Sequence, residues 1–324
     1  MKIQKALRFS YFLLIPIFLG ASRSQATPEQ DFSNQAQADY QTMNDYVNGQ
    51  FAKSMGFITS LGWNTPAEVF DILSGPHVEV GIGAGADLLS MPNLNSLNLG
   101  AIDLGSNFSL PSHVPFPFPV ITGRIGLVNG LDVGMKYNYL PLVSLPQLGF
   151  AANYFGWGLD LRYKILEGAA LPNLTVGISF DSMRGSFSLT TGINQTSTYN
   201  DPGLGSYPNT TFTGSNLYTL NWDTKSFGAQ LQIGKNLGAA FPFAAVGFQR
   251  NSGTVTSLMS GSGQLNVTGT PTNLSVNAVS TTQPVSFEPK FVVGIDFGGG
   301  LHWAVVGESN GTDIAGSTSF RVSF

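Results

Sequence analysis

The sequence contains no cysteine and few charged or histidine residues. Its 324 residues include 0 Cys and 3 His, and only 10% are charged, against about 25% in an ordinary soluble domain. No disulfide therefore supports the fold. His77, His113 and His302 are too scattered to indicate a metal site or a catalytic group. From the scattered histidines we expect neither an enzyme nor a cofactor. The net charge is −4, so the sequence gives no sign of a basic surface, and we expect no nucleic-acid partner.

After residue 26 the sequence also contains no long apolar run. Those residues, MKIQKALRFSYFLLIPIFLGASRSQA, combine basic residues, an apolar run from about Phe9 to Leu19 and small residues up to Ala26. This pattern predicts a secretory signal peptide, residues 1–26, that is cleaved after Ala26. No later run is long enough for a membrane-spanning helix. If the mature chain enters a membrane, it must therefore cross it as strands.

Period-two alternation is what the sequence has in abundance, together with 39 glycines and 24 phenylalanines. In the segment GWGLDLRYKIL, Gly156 to Leu166, the large apolar residues fall on one face of a strand and the charged residues on the other. A helix would distribute those charges around its circumference. The same pattern recurs in HVEVGIGAGAD, LDVGMKYNY, LTVGISFD and several later segments. The sequence therefore predicts an all-β protein.

Two architectures produce strands of this kind, a soluble sandwich and a transmembrane antiparallel β-barrel. The signal peptide, the low charge and the aromatic residues near strand ends favour the barrel. The last eight residues, STSFRVSF, alternate strictly and end in Phe324. A closed barrel must pair its last strand with its first, so an apolar terminal strand is expected there.

With these features the sequence resembles the outer-membrane β-barrels of Gram-negative bacteria. The resemblance implies that the terminal strand, with Phe320, Val322 and Phe324, is an assembly signal for the barrel assembly machinery. The segments NGLDVGMKYNYLP, FGWGLDLRYKIL and LPNLTVGISF are also distantly similar to uncharacterised barrel families related to the long-chain fatty-acid transporters. This second resemblance assigns no functional residue.

The predicted organisation is a polar N-terminal segment, residues 27–50, that forms either a short helix plugging the barrel or a disordered periplasmic lead, followed by a barrel of about 12 to 14 strands in residues 51–324. Phe51 to Trp63 is interpreted either as the first strand or as a segment threading the lumen. Counting strands back from Phe324 makes Val78 to Ala86 run towards the periplasm. The polar stretches Gly192 to Asn216 and Asn251 to Pro284 are expected to be outer loops. The alternation changes phase between Phe180 and Phe187 and again near Lys225, which suggests bulges or turns.

The predicted lumen carries charges of both signs in comparable number. Cross-strand ion pairing is the preferred interpretation, since an ion-selective filter usually needs rings of one sign. A lysine is accordingly expected to be costly at the lipid-facing Leu161 and much less costly at Asp160. The residues predicted to face the lumen are Glu79, Asp87, Arg124, Asp132, Lys136, Asp160, Arg162, Lys164, Asp181, Lys290, Asp296 and Arg321.

We predict a location in the outer membrane of a Gram-negative bacterium, where the partners are membrane lipid and the assembly machinery. The leading functional hypothesis is passage of small molecules, including a small apolar solute, across that membrane. The alternative is a non-conducting barrel whose extracellular loops bind a partner or a surface.

Overall fold

A computed structural model describes residues 27–63, 77–90, 93–102, 112–127, 130–167, 171–201, 205–298 and 301–324. It consists of one long helix followed by strands. None of the helices in these ranges is both long and apolar enough to cross a membrane. The elements are α1 (Pro28–Ser60), β1 (His77–Ser90), β2 (His113–Gly126), β3 (Leu131–Leu145), β4 (Phe150–Leu166), β5 (Asn173–Asp201), β6 (Gly205–Gly234), β7 (Ala240–Asn266), β8 (Thr272–Thr282), β9 (Phe287–Gly298), β10 (Leu301–Ser309) and β11 (Ile314–Ser323).

The strands form one antiparallel sheet that closes on itself. Each strand from β1 to β7 pairs with the next, and β11 pairs with β1. At the closure, Val78 and Phe324 exchange backbone hydrogen bonds of 2.9 and 3.2 Å. The inner half of β7 pairs with β9 and its outer half pairs with β8, so β8 and β9 occupy one position around the ring. The predicted transmembrane β-barrel with a helical N-terminal segment is confirmed.

The described residues contain 11 strands, against the predicted 12 to 14. Since β8 and β9 share a position, 11 strands give a ring of ten.

Phe51 to Trp63 is not a strand, because Phe51 to Ser60 completes α1 within the lumen. The predicted boundary at residue 50 thus falls inside α1, and the predicted signal peptide lies outside the described residues.

The two ends of the barrel differ in how far the strands extend. At the end that holds Phe324, called the inner end here, short connections join β6 to β7 and β9 to β10. At the outer end, β5, β6 and β7 continue to lengths of 29, 30 and 27 residues, whereas about 9 to 11 suffice to cross a bilayer. Outer-membrane barrels keep short turns on the periplasmic side. The inner end is therefore periplasmic, and β1 starts there and runs outwards, opposite to the predicted direction.

The outward face of the barrel is apolar between the two ends, as lipid contact requires. Its side chains are exposed in the isolated chain, while the alternate, inward side chains are buried. On β5 and β6 the apolar residues change face towards the outer end. Phe180 and Phe227 point outwards, whereas Trp222 and Leu220 point inwards. Representative outward residues are Val80, Ile82, Ile121, Val133, Met135, Leu159, Leu161, Ile178, Leu231, Val246, Phe291, Val293, Val305 and Phe320.

This change of face explains the predicted phase shifts, which are neither bulges nor turns. The pairing of β5 with β6 keeps one register from Asn173 to Ser197. Within the membrane, apolar side chains must face lipid, and beyond it they must face the interior of the protein. The phase shifts therefore mark the outer surface of the membrane on these strands.

A lysine at Leu161 is expected to lower the free energy of unfolding by about 2 to 4 kcal/mol, because it would place a charge against lipid in the middle of the apolar band of β4, which runs from Trp157 to Ile165. The control is Ile165→Lys, on the same face of the same strand but close to the inner end, where the cost falls to about 0 to 1 kcal/mol. Denaturant titration in phospholipid vesicles measures both. Equal losses would contradict the assigned lipid-facing band.

Candidate functional site

The lumen is occupied by α1. Local signals define the start of the helix: Pro28 follows the N-cap Thr27, whose side chain accepts a hydrogen bond from the Gln30 backbone amide at 3.3 Å. In the outer part of the barrel, Phe32 and Tyr40 of α1 pack in one apolar cluster with residues of β5 to β8. Further in, Phe51 to Leu61 join a second cluster. Its wall residues include Leu89, Phe118, Tyr154, Met183, Leu220, Trp222 and Val255.

One stripe of α1 is polar: its first two amides bind the free edge of β8, and its last two bind carbonyls of β7 and β8. Gln37, Gln41, Asn44 and Asn48 follow helical spacing and donate their side-chain amides to the wall. Gln37 both donates to the carbonyl of Asn277, at 2.5 Å, and accepts from its amide, at 3.0 Å. An uncovered strand edge would otherwise leave backbone groups unpaired, so the amide stripe completes the sheet.

The outer end of α1 is tied to the connection between β7 and β8. Thr268 donates a hydrogen bond of 2.6 Å to the Glu29 carboxylate, and this bond holds the pKa of Glu29 below its ordinary value. Close approach further along requires glycine at two positions. A side chain at Gly56 would meet Asn251, and one at Gly261 would meet the Tyr40 ring. The helix is therefore fitted to the wall along its length.

Two lysines from opposite walls hold the C-terminal end of α1. Lys136 of β3 donates to the carbonyls of Leu61 and Thr59, at 2.5 and 3.2 Å. Lys290 of β9 donates to the carbonyl of Ser60 at 2.9 Å. Cations at this position satisfy the last carbonyls of a helix and complement its dipole.

Each of these lysines is paired with a buried carboxylate. Lys136 lies 2.8 Å from Asp181, which also accepts a 2.9 Å hydrogen bond from the Trp63 indole. Lys290 lies 2.9 Å from Glu308. Both lysines are thus neutralised where they meet the helix, so the contact brings no unpaired charge into the lumen.

Two further ion-pair groups fill the inner half of the lumen. Arg124 binds Asp132 at 2.6 Å and Asp160 at 2.9 Å, and Arg162 binds Asp160 at 2.7 Å. The second group joins Arg321 to Glu79 at 2.9 Å and to Asp296 at 2.7 Å, with His302 2.9 Å from Asp296. These are cross-strand ion pairs of the kind expected from the mixed signs.

The structure places the twelve predicted lumen residues on the inward face of their strands. Eleven are buried, and Lys164 lies near the inner end, where it binds Glu167 at 2.6 Å. Asp87 is buried near the outer end without a cationic partner among the described residues. No group of three His, Asp or Glu in the described ranges is arranged to hold a metal. The residues that sequence reasoning missed are those of α1, whose amide stripe was visible only as a Gln- and Asn-rich segment.

Beyond the membrane, β5 to β8 form an outer sheet whose outward face we call the polar sheet face. Side chains with hydroxyl or amide groups lie opposite each other across these strands. Ser215 and Ser262 approach to 3.5 Å between their hydroxyl oxygens, and Thr256 and Thr281 to 3.1 Å. Three cross-strand rows of this face carry only hydroxyl or amide side chains: Asn194, Thr213, Gln264 and Asn273; Ser215, Ser262 and Ser275; and Asn221, Thr256 and Thr281. The rows between the second and the third also contain the exposed Leu217 and Val279.

A crevice of about 600 Å³ lies in the wall formed by β3 to β6. It adjoins the irregular pairing between Leu140 and Val143 of β3. Aromatic and aliphatic side chains dominate its lining, which also includes Arg184 and Asp223. The main apolar lining residues are Tyr139, Leu140, Leu142, Tyr154, Phe155 and Trp222.

No family model and no curated protein sequence matches this chain. Similar solved structures include the outer membrane protease OmpT from Escherichia coli, at 10% identity and a TM-score of 0.38, covering 80% of this chain and 100% of that one. The translocator domain of the autotransporter NalP from Neisseria meningitidis has 11% identity and a TM-score of 0.29, covering 89% and 97%. A Pseudomonas aeruginosa FadL homologue has 10% identity and a TM-score of 0.25, covering 87% and 98%.

The fold itself is that of an outer-membrane barrel. Ring closure, an apolar outward band and a polar, filled interior are the properties that define this class. The predicted resemblance to Gram-negative outer-membrane barrels is confirmed, and so is the outer-membrane location.

Proposed function

We propose that the protein is a closed barrel that binds a neutral, hydroxyl-rich partner, such as a polysaccharide, through its polar sheet face. The observation that carries this proposal is the filled lumen. Residues 51–61 of α1 pack against the wall, and the ion pairs of Lys136 and Lys290 close around the end of the helix. With the lumen occupied, the part of the molecule available to a partner is the outer extension.

The outer extension is built as a rigid support. Phe32, Ala36, Tyr40 and Met43 of α1 pack beneath it in the outer apolar cluster. A sheet that extends into water needs an apolar face packed against other residues, because an isolated two-stranded hairpin is only marginally stable in water. The helix therefore fixes the rows of the polar sheet face in place.

The chemistry of this face favours a neutral ligand. Between residues 185 and 222 the sequence contains one charged residue, Asp201, and between residues 251 and 287 it contains none. Hydroxyl and amide groups both donate and accept hydrogen bonds, as sugar hydroxyls do. A charged polymer would find no opposite charge on these rows, whereas a neutral polysaccharide would find donors and acceptors along each row.

Affinity electrophoresis through gels that contain a neutral polysaccharide, dextran or mannan, tests this proposal. We expect at least one of them to retard the full-length protein, and Ser262→Leu to abolish most of the retardation because it blocks the central row. Ser144→Leu, on the exposed outer part of β3, is the matched control and should migrate like the unmodified protein. Retardation that Ser262→Leu leaves unchanged would contradict the assignment, as would the absence of retardation by either polymer.

Passage of a small apolar solute is the second candidate, and the crevice beside Leu140 favours it. Its volume and its aromatic lining suit a small apolar molecule. Uptake of a radiolabelled aromatic hydrocarbon into vesicles distinguishes the two functions. Uptake that requires the protein supports passage, whereas uptake equal to that of empty vesicles supports the closed barrel.

A further inference from the structure

Three basic side chains, Arg184, Lys225 and Arg250, point outwards from the barrel wall. Among the residues that the structure describes, every other lysine or arginine of the strands points into the lumen, and Lys53 and Lys235 lie on α1 and at the inner end. Arg184, Lys225 and Arg250 are all exposed and lie on the three adjacent strands β5, β6 and β7. We call them the basic row.

The strand register places the basic row on one diagonal. Arg184 pairs with Asp223, so Lys225 is its diagonal neighbour on β6. Lys225 pairs with Ser252, so Arg250 is the next diagonal neighbour on β7. Diagonal neighbours on one face of a sheet lie about 7 to 8 Å apart. The three charges therefore form one compact patch on the outward face of β5, β6 and β7.

The basic row lies at the outer boundary of the lipid-facing band. One step inwards on the same face, Lys225 is followed by Phe227 and Arg250 by Phe248, and both phenylalanines are exposed. Arg184 stacks over the Phe155 ring with 5.5 Å between its guanidinium carbon and the ring centroid. This is also the level at which the apolar side chains of β5 and β6 change face. Two independent patterns thus place the row at the level of the lipid headgroups.

The charges of the basic row are not neutralised by the protein. Within the described ranges, no carboxylate lies within ion-pair distance of Arg184, Lys225 or Arg250. The lumen shows the opposite arrangement, since Arg124, Arg162, Lys136, Lys290 and Arg321 each bind an acid there. Asp223 is the acidic side chain on the same patch, which leaves three positive charges against one carboxylate. A chain with a net charge of −4 thus keeps a local excess of positive charge at the membrane surface.

We propose that the basic row binds the phosphate groups of an outer-leaflet lipid. Arginine forms paired hydrogen bonds with phosphate, and a lysine beside it adds a point charge. Clustered basic residues at a membrane surface attract anionic headgroups. A lipid is favoured over free phosphate because Phe227 and Phe248 continue directly inwards from the charges and offer an apolar surface to the acyl chains. The spacing of the row suits a headgroup with two phosphates.

The test uses the full-length protein in phosphatidylcholine nanodiscs that contain a small fraction of diphosphoryl lipid A. Native mass spectrometry then counts the lipid A that stays bound after release into detergent. We expect the variant R184Q/K225Q/R250Q to retain at least about tenfold less than the unmodified protein. K53Q/K164Q/K235Q changes the net charge equally at positions away from the row and should retain the lipid. D223N should retain more, since it removes the opposing carboxylate.

Three results would overturn the proposal. The first is equal retention by the two triple variants once heat-modifiable migration has shown that both are folded. The second is equal retention of dephosphorylated lipid A, which would show that only the acyl chains bind. The third is displacement of lipid A by millimolar inorganic phosphate, which would identify an anion site without a lipid. None of these outcomes depends on polysaccharide binding by the polar sheet face.

Discussion

Replacement of Asp160 by alanine is expected to lower the free energy of unfolding by about 3 to 5 kcal/mol. The Asp160 carboxylate binds Arg124 at 2.9 Å and Arg162 at 2.7 Å, and all three side chains are buried. Removing it takes away the carboxylate that both buried arginines share. A buried charge deprived of its partner costs far more than the pair contributes when intact. Denaturant titration in phospholipid vesicles, followed by tryptophan fluorescence, measures the loss.

Glu167→Ala is the matched control for this variant. Glu167 also forms an ion pair, with Lys164 at 2.6 Å, but its side chain is 52% exposed at the inner end. An exposed pair contributes about 0 to 1 kcal/mol, so this variant should unfold almost like the unmodified protein. If Asp160→Ala lost no more stability than Glu167→Ala, the inner ion pairs would not support the barrel.

The lumen residues could be predicted because strict alternation assigns every charge in a strand to one face. Their partners could not be predicted, because pairing depends on the register between strands. Asp160 shows the difference: its inward position follows from GWGLDLRYKIL, but its bond to Arg124 requires the alignment of β2, β3 and β4. We therefore expect a lysine at Asp160 to cost more than the alternation alone predicts, since it would add a third cation beside two buried arginines.

The contacts that the helix makes with the barrel wall could not be predicted from the sequence, for a different reason. Its polar stripe, from Gln37 to Asn48, contacts backbone groups of β7 and β8 more than 200 positions away in the sequence. Nothing local distinguishes amides that cover a strand edge from amides in solvent. Phe51 to Trp63 could accordingly be interpreted either as a strand or as a luminal segment, and only the second interpretation agrees with the structure.

The two long polar segments were predicted as loops because they lack the outward apolar residues of a membrane strand. In the structure, the described residues of Gly192 to Asn216 lie in the outer parts of β5 and β6, and Asn251 to Pro284 contains the outer part of β7 and all of β8. Above the membrane the apolar positions, such as Tyr199 and Phe212, face α1 instead. The alternation of a strand is therefore present, but its apolar residues face inwards instead of outwards. This change of face can be recognised only when the position of the membrane surface is known.

Removal of residues 27–63 is expected to convert a non-conducting barrel into one that conducts ions in discrete steps across a planar bilayer. This segment contributes Phe57, Ile58 and Leu61, all fully buried, to the cluster that fills the lumen. It also supplies the carbonyls bound by Lys136 and Lys290. Without it, water reaches these lysines and their acids, and the inner ion pairs become hydrated and loose.

The shorter deletion of residues 27–50 is the decisive control, because it removes the whole amide stripe and leaves Phe51 to Trp63 in place. We expect this variant to remain silent, since the inner cluster and both lysine contacts persist. Heat-modifiable migration verifies that each variant is folded before its conductance is measured. A folded 27–63 deletion that stays silent would show that the wall side chains alone close the barrel. Free conduction by the full-length protein would refute the closed barrel and favour passage of small molecules through the lumen. The 33-residue helix α1 would then have to leave the lumen despite its many buried residues.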